Sequence, residues 1–422
     1  MSALQIPFKP AEKTREISTR MAILFLVIMA GTYVINGMDR QVFPVLVPWI
    51  MKTYEFNLQE AGLLSTVFTI GLGLAGIPTG YLLDRSSRKT VMIVGLLFYS
   101  VFTVLTVMSA GFADMLIYRA ITGIGEGMQV AAVFAAAGNY FYRNRTLVIG
   151  VMNVAYGIGG FIGPFFGAKL TLLTNSWHTP FYVYGFVGIT CAIAAWFLLP
   201  KAFTDSKGAL AETVVPENAA LFSHVPATLW NRNVILCSIA AGITGLTMFG
   251  YIGLYSTFLI QQLHYQPMVA SLALSLYGVG CMMAIPIGYI GDRLPQRFIM
   301  IFSFASSMVS SYLMFNVCTE PWQQNVLSFL QGVLFSACLF VNVYALIQRS
   351  VRPAMVGRAS GIHVTSIFLP ASVSGFIFAT LIKYLGWGHA ASILLSASPL
   401  LGIAVMVLLK ESQLMMVARK QG

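Results

Sequence analysis

Apolar stretches long enough to cross a bilayer recur along the whole chain, separated by short polar breaks. About twenty apolar residues suffice for one helical crossing. The pattern predicts twelve, over roughly 20–49, 59–82, 89–110, 113–141, 146–172 and 180–199, then 232–260, 268–290, 298–318, 324–347, 358–383 and 390–409. The stretches lack the strict period-two alternation of a transmembrane barrel. They are rich in Gly, which lets membrane helices approach closely. The longest polar stretch, from Pro200 to about Asn231, carries Asp205, Lys207, Glu212, Pro216, Glu217 and His224 and reads as a linker. The expected fold is an all-α polytopic membrane protein of twelve transmembrane helices in two pseudo-symmetric halves. A six-helix half occupies 1–199, a cytoplasmic linker 200–231 and a second six-helix half 232–422.

Composition supports this. Hydrophobic residues make up 57% of the chain and charged ones 9%, against about 25% charged in soluble domains. The net charge of +11 would suggest nucleic acid in a soluble protein, but here position explains it. Lys9, Lys13, Arg15 and Arg20, then Arg143 and Arg145, Lys201, Lys207 and Arg232, and finally Lys410, Arg419 and Lys420 fall on one side of the predicted spans. Lys52, Lys169 and Lys383 fall near the other. This asymmetry orients both termini to the cytoplasm. It makes the lipid bilayer the partner, excludes nucleic acid, and places the chain as a multi-pass protein of the cell inner (plasma) membrane. No cleavage-site pattern ends the first apolar run, which is expected to remain a helix. The five cysteines form no metal-ligand spacing and suggest no disulfide. No cofactor or metal is expected, nor any nucleophile–histidine arrangement of an enzyme, and a monomer suffices.

The halves carry an internal repeat. Gly80-Tyr-Leu-Leu-Asp84-Arg85-Ser-Ser-Arg88-Lys89 sits between helices 2 and 3, and Gly288-Tyr-Ile-Gly-Asp292-Arg293-Leu-Pro-Gln-Arg297 between helices 8 and 9. The two aspartates lie about half the chain apart. Repeats of this kind build many secondary transporters, with the substrate site at the repeat interface near the membrane midplane. The first copy resembles the signature loop of the major facilitator superfamily, and a degenerate second copy is typical of that superfamily. The resemblance covers essentially the whole chain. It implies that Asp84, Arg85 and Arg88, with Asp292 and Arg293, form a cytoplasmic gate that latches the inner side shut, where the residues alone would serve as a positive-inside anchor.

Four charges interrupt the apolar spans. Asp39 and Arg40 stand in helix 1, Arg119 and Glu126 in helix 4. A charge at mid-membrane costs about 2.5–3.5 kcal/mol on insertion scales, so such groups are normally paired and functional. Arg119 and Glu126 are two turns apart on one helix face, and Tyr33, Asn36 and Arg40 share a face of helix 1. Asp39 and Arg40, being adjacent, diverge by about 100°. Two acids and two bases form a locally neutral group suited to proton coupling. A carboxylate's proton affinity rises in low dielectric and falls beside a guanidinium. Glu126 is the first expected proton carrier and Asp39 the second, with Arg40 and Arg119 binding an anion or balancing charge. The bland alternative is an ion-pair cluster that only ties helix 1 to helix 4.

The Asp39-Arg40 pair and the run Arg119-Ala-Ile-Thr-Gly-Ile-Gly-Glu126 resemble the anion:cation symporters, a branch of proton-coupled sugar-acid and organic-anion carriers. In that branch the matching acids couple protons, and the matching arginines bind the anion and balance charge. Gly37-Met38 departs from the aromatic residue usual before the pair, and Gly73 lacks an expected ring. The run from Glu60 to Phe68, the helix 2–3 loop and Gly123-Ile-Gly125-Glu126 also resemble the spinster-like branch, whose members move lysolipids or amphiphiles. The run Gly157-Ile-Gly159-Gly160-Phe-Ile-Gly163-Pro164-Phe-Phe-Gly167 resembles the glycine-proline motif of drug:proton antiporters, with close helix packing as the plainer reading.

The second half has no acid within a predicted span. Its expected cavity groups are neutral: Tyr251, Tyr255, Gln261 and Gln262 on helix 7, Asn342 on helix 10 and Ser366 on helix 11. His363 reads as a helix-end residue at the membrane interface, with titration near neutral pH as the alternative. The expected function is proton-coupled symport of a small organic anion, a carboxylate or sugar acid, by alternating access. The alternative is a proton-coupled exporter of lysolipids, amphiphiles or drugs. The substrate-binding set is Arg40, Arg119, Tyr33, Asn36, Tyr251, Tyr255 and Asn342, and the proton-coupling set Glu126 and Asp39. On the charge-based orientation, cysteines placed at Lys52 and Lys383 will react with a membrane-impermeant maleimide added outside intact cells. Cysteines at Arg143 and Arg232 will react only after the membrane is opened. The reverse pattern would invert the topology.

Overall fold

The computed structural model describes residues 17–141, 145–205, 224–291, 294–352 and 355–415. Among them there is no strand. Eleven helical stretches are long and apolar enough to cross a membrane. The last, Arg358–Val407, has 50 residues, about 75 Å at 1.5 Å per residue, against a hydrocarbon core of about 30 Å. It breaks at Gly386, whose φ of 78° lies in the left-handed region that favours glycine. It is therefore two crossings, and the spans among the described residues number twelve.

The first half comprises α1 (Thr19–Tyr54), α2 (Leu58–Thr66 continued by Phe68–Arg85), α3 (Arg88–Thr106), α4 (Phe112–Tyr140), α5 (Arg145–Thr174) and α6 (His178–Leu198). The second comprises α7 (Arg232–Gln261), α8 (Pro267–Cys281 continued by Ala284–Gly291), α9 (Gln296–Asn316), α10 (Pro321–Gln331, Gly332–Phe340 and Val341–Arg349), α11 (Val356–Ala371, then 374–385) and α12 (387–407). Local chemistry sets several boundaries. The Ser18 hydroxyl accepts from Met21 N at the start of α1, and Glu55 closes it in the left-handed conformation. Asn57 and Glu60 form a reciprocal capping box at the start of α2, and Asn231 caps α7. Large apolar side chains such as Leu173, Phe197, Val309 and Leu401 stand exposed. In water such a surface would drive association, but in hydrocarbon it costs nothing.

The halves meet along two crossings that the repeat relates: α2 against α11, and α5 against α8. Both depend on glycine. A Cβ on Gly278 of α8 would lie 2.5 Å from Gly160 C and Phe161 N of α5, and one on Gly157 would lie 2.7 Å from Gly278 O. Gly62 of α2 and Gly375 of α11 oppose each other in the same way. The sequence predicts helices 2, 8 and 11 as continuous, but all three are interrupted, and at these crossings. The Thr66 hydroxyl, beside the α2 interruption, donates to Ser372 O (3.0 Å) and accepts from Gly375 N (3.3 Å) at the α11 interruption. A hydroxyl from the partner half thus satisfies backbone groups that a break in hydrocarbon exposes.

Polar staples secure the basic face. The Asp205 carboxylate, just past α6, accepts from the Ser87 hydroxyl and from Arg88 N, both at 2.6 Å, and so caps α3. In the second half, Glu411 past α12 faces Arg297 at the start of α9 at 3.8 Å. The repeat thus recurs in the tertiary contacts. Arg85 is exposed. The remaining gate residues, Asp292, Arg293 and the side chain of Asp84, lie outside the described residues, as does most of the expected linker.

A side chain at Gly278 requires α5 and α8 to separate, and overpacking of this kind costs about 1–3 kcal/mol. Gly278→Val will lower the Tm of the purified protein and suppress transport. Gly361→Val, where an added Cβ meets nothing within 4 Å, will leave both unchanged.

Candidate functional site

Near the middle of α1 the apolar ladder gives way to Asp39 and Arg40, both buried. Arg40 Nε donates to Glu126 Oε2 of α4 at 2.7 Å, a salt bridge with both side chains out of water. The Arg40 guanidinium also lies 5.7 Å from the Tyr156 ring centroid on α5. Asp39 points the other way, as the 100° step demands, and its Oδ1 accepts from the Thr103 hydroxyl of α3 at 2.7 Å. The second oxygen of each carboxylate, Asp39 Oδ2 and Glu126 Oε1, has no hydrogen-bond partner among the described residues. The expected four-charge group is therefore assembled, with Arg40 and Glu126 paired at its centre.

Arg119 sits further along α4 and is fully buried. Its guanidinium carbon lies 4.5 Å from the Phe43 ring centroid and 5.1 Å from that of Phe68, and its three nitrogens have no hydrogen-bond partner among the described residues. Two desolvated cation–π contacts, worth about 2 kcal/mol or more each at best, and the field of the two carboxylates hold it there. It is not among the residues that line the cavity between the halves, contrary to a direct place among substrate ligands, and packs against Phe43 and Phe68 instead.

Close helix approach makes this burial feasible. A Cβ on Gly37 of α1 would stand 2.5 Å from Tyr156 O of α5. The residue before Met38 therefore cannot carry the aromatic ring that the symporter resemblance leads one to expect there. Gly159 and Gly163 of α5 pack on the α1 backbone while Gly157 and Gly160 pack on α8. The glycine-proline run is thus a two-sided packing surface.

A narrow cavity of about 50 Å³ lies between the halves, lined by Tyr33, Arg40, Asn153 and Tyr156 of the first half and Met248, Phe249, Tyr277, Ser336, Phe340 and Phe368 of the second. Small-molecule sites usually measure about 300–1,000 Å³, so the halves must part to admit cargo. Tyr33 and Arg40 reach this cavity as expected. Asn36 does not line it; its amide nitrogen donates to Gln129 Oε1 at 3.0 Å, and Gln129 donates to Thr32 O. Tyr251 and Tyr255 also differ from expectation. They bond inward to α10, Tyr251 to the Ser328 hydroxyl (2.7 Å) and Tyr255 to Gln324 (2.9 Å). Asn342 turns back on Cys338 O of its own helix (2.6 Å). His363 is 1% exposed rather than interfacial, because α11 begins seven residues earlier and carries it into the packed layer.

Sequence reasoning passed over Gln129, although it falls one turn beyond Glu126 on the same face, and Gln41, which donates to the Tyr156 hydroxyl at 3.2 Å. Thr103, Tyr156, Phe340 and Phe368 gave no signal, since nothing local distinguishes them from other residues of apolar helices.

The chain matches the family profile described as Major Facilitator Superfamily over residues 29–279 and again over 237–418. It belongs to that superfamily. It is 25% identical over 247 residues to a hexuronate transporter of Bacillus subtilis (strain 168), covering 58% of this chain and 57% of that protein. It is 29% identical over 244 residues to protein spinster homolog 1 of Xenopus laevis, covering 56% and 46%. The chain thus spans about half the length of the curated relatives it matches. Its fold resembles the crystal structure of a bacterial homologue of the human lysosomal transporter Spinster in an inward-facing, occupied conformation, with a TM-score of 0.69 and 16% identity, covering 94% of this chain and 96% of that one. The relatives and solved structures that this major facilitator matches are transporters by name, and its apolar spans are those of a multi-pass membrane protein.

Removing Arg40 strands the Glu126 carboxylate in hydrocarbon. Breaking a buried pair typically costs about 3–5 kcal/mol. Arg40→Ala will therefore lower Tm, and adding Glu126→Gln to it will recover part of the loss. Equal Tm values for Arg40→Ala and the double variant would show that the pair carries no such energy.

Proposed function

We propose that this transporter carries a small organic anion together with protons, by alternating access around the cavity between its halves. The observation that carries the reading is the Arg40–Glu126 pair, because Arg40 both lines the cavity and neutralises a buried acid. An entering carboxylate competes for the guanidinium, which binds carboxylates bidentately. Glu126 then loses its partner in a low-dielectric site, and the unpaired charge is costly. Uptake of a proton removes that cost. Anion binding and proton loading are therefore linked, and linkage is reciprocal. Asp39 and Arg119 extend the group and buffer its charge, so that the loaded protein crosses between states near neutrality. The hexuronate transporter among its relatives supports a carboxylate cargo.

A second reading, export of an amphiphile, draws on the apolar second-half wall of Met248, Phe249, Phe340 and Phe368 and on the spinster relative. The gate formed by Asp84, Arg85 and Arg88 with Asp292 and Arg293 remains part of either reading as the latch of the basic face. Location in the cell inner membrane and action as a monomer complete the proposal.

Proteoliposomes carrying a pH-sensitive dye distinguish the two. Hexuronate or aldonate added outside will acidify the interior in the wild type. Glu126→Gln will abolish that proton signal while retaining exchange of the anion, and Asp39→Asn will reduce it. Proton movement with lysolipids but with no carboxylate would favour the second reading. Wild-type proton flux in both variants would remove the site assignment.

A further inference from the structure

In the second half, α11 carries His363, 1% exposed, and neither of its ring nitrogens has a hydrogen-bond partner among the described residues. A neutral imidazole offers one donor and one acceptor, and a buried polar group left unmet costs about 1–3 kcal/mol. The surroundings are aromatic. The Phe340 ring lies 5.4 Å from the imidazole centroid and the Tyr344 ring 5.0 Å, both edge-on. Phe340 also contacts Phe368 at 6.5 Å, and both phenylalanines line the central cavity. One ring therefore separates an unsatisfied imidazole from the cavity whose opposite wall carries Arg40.

That ring ends an unusual element. Gly332–Phe340 is π-helical, a rare conformation that is frequent at functional sites. Ser336 within it also lines the cavity. A π segment that relaxes to α-helix shifts the residues at its end by about one position, roughly 100° in azimuth and 1.5 Å in height. Such a shift would displace Phe340, the ring that touches both the imidazole and the cavity. The cavity as it stands, about 50 Å³, is far below an ordinary ligand site, so a cargo must displace a wall residue to enter.

We infer that His363 is a specificity-determining cargo contact of the second half, one that hydrogen-bonds a hydroxyl of a hydroxylated carboxylate whose acid group is held by Arg40. The inference rests on the anion reading and adds to it which anions are preferred. Arg40 binds any carboxylate. His363 rewards one that also brings a hydroxyl, because only such a cargo satisfies the imidazole. An alkyl carboxylate of similar length leaves it unmet.

Calorimetry on the purified full chain, with D-glucuronate and hexanoate as probes, tests this. The wild type will bind glucuronate about tenfold or more tighter than hexanoate, the gap expected of one hydrogen bond in a buried site. His363→Leu will shrink the gap to under about threefold by weakening glucuronate alone. It will also raise the Tm of the ligand-free protein, because it removes an unmet polar group. His363→Gln, which keeps a donor and an acceptor, will preserve most of the gap. A gap unchanged in His363→Leu overturns the inference, as does an equal loss for both probes with a lower ligand-free Tm, the signature of a structural role. If hexanoate binds the wild type as tightly as glucuronate, the inference fails and the anion reading stands. If neither probe binds, both fail.

Discussion

An arginine and a glutamate held 2.7 Å apart, with both side chains out of water, are the constraint to which the first half conforms. Neither charge is tolerable alone at this depth. Their pairing fixes α1 against α4 and places Asp39 on the far side of α1, against Thr103 of α3. For the charged side chains to meet without voids, backbones must approach closely. Gly37 against α5, Gly123 against α2 and Gly125 against α3 provide that approach. Polar second partners such as Gln129 and Gln41 then take up space that would otherwise be apolar. The electrostatic requirement and the small-residue packing are two aspects of one arrangement.

The halves divide their work unequally. The first holds Asp39, Arg40, Arg119 and Glu126 buried within its spans and presents Arg40 to the cavity. The second presents mostly aromatic and sulfur-containing side chains, while Tyr251 and Tyr255 bond to Ser328 and Gln324 within it. A mostly apolar wall facing a charged one suits motion between two discrete arrangements, since packed interfaces are bistable rather than continuously deformable. The halves meet at the crossings of α2 with α11 and α5 with α8. There, glycine contacts and interrupted helices concentrate, and backbone groups freed by one half are met by the other.

Pseudo-symmetry persists where sequence similarity fades. An acid beyond the sixth helix of each half secures the start of that half's third helix, Asp205 to Ser87 and Arg88, and Glu411 to Arg297. The first is a tight cap and the second a longer surface contact, worth little on its own. The shared geometry nonetheless sets an acid beside the start of the third helix in both halves.

The chain's own order of residues determined the number of crossings, the halving and the identity of the buried charges. Each follows from local physics: the length of hydrocarbon to be crossed, the distribution of Lys and Arg, and the cost of Asp39, Arg40, Arg119 or Glu126 in an apolar helix. Helical period alone also separated Asp39 from Arg40. Tertiary structure decided which partner each charge takes and which polar groups face the cavity. Tyr251, Tyr255 and Asn342 look like cavity residues by composition, yet they turn into α10. His363 looks interfacial, yet it lies buried behind Phe340. The reason is that every membrane helix has several faces of similar hydropathy. Water does not mark the inward one as it does in a soluble protein, and only packing against neighbouring helices selects it.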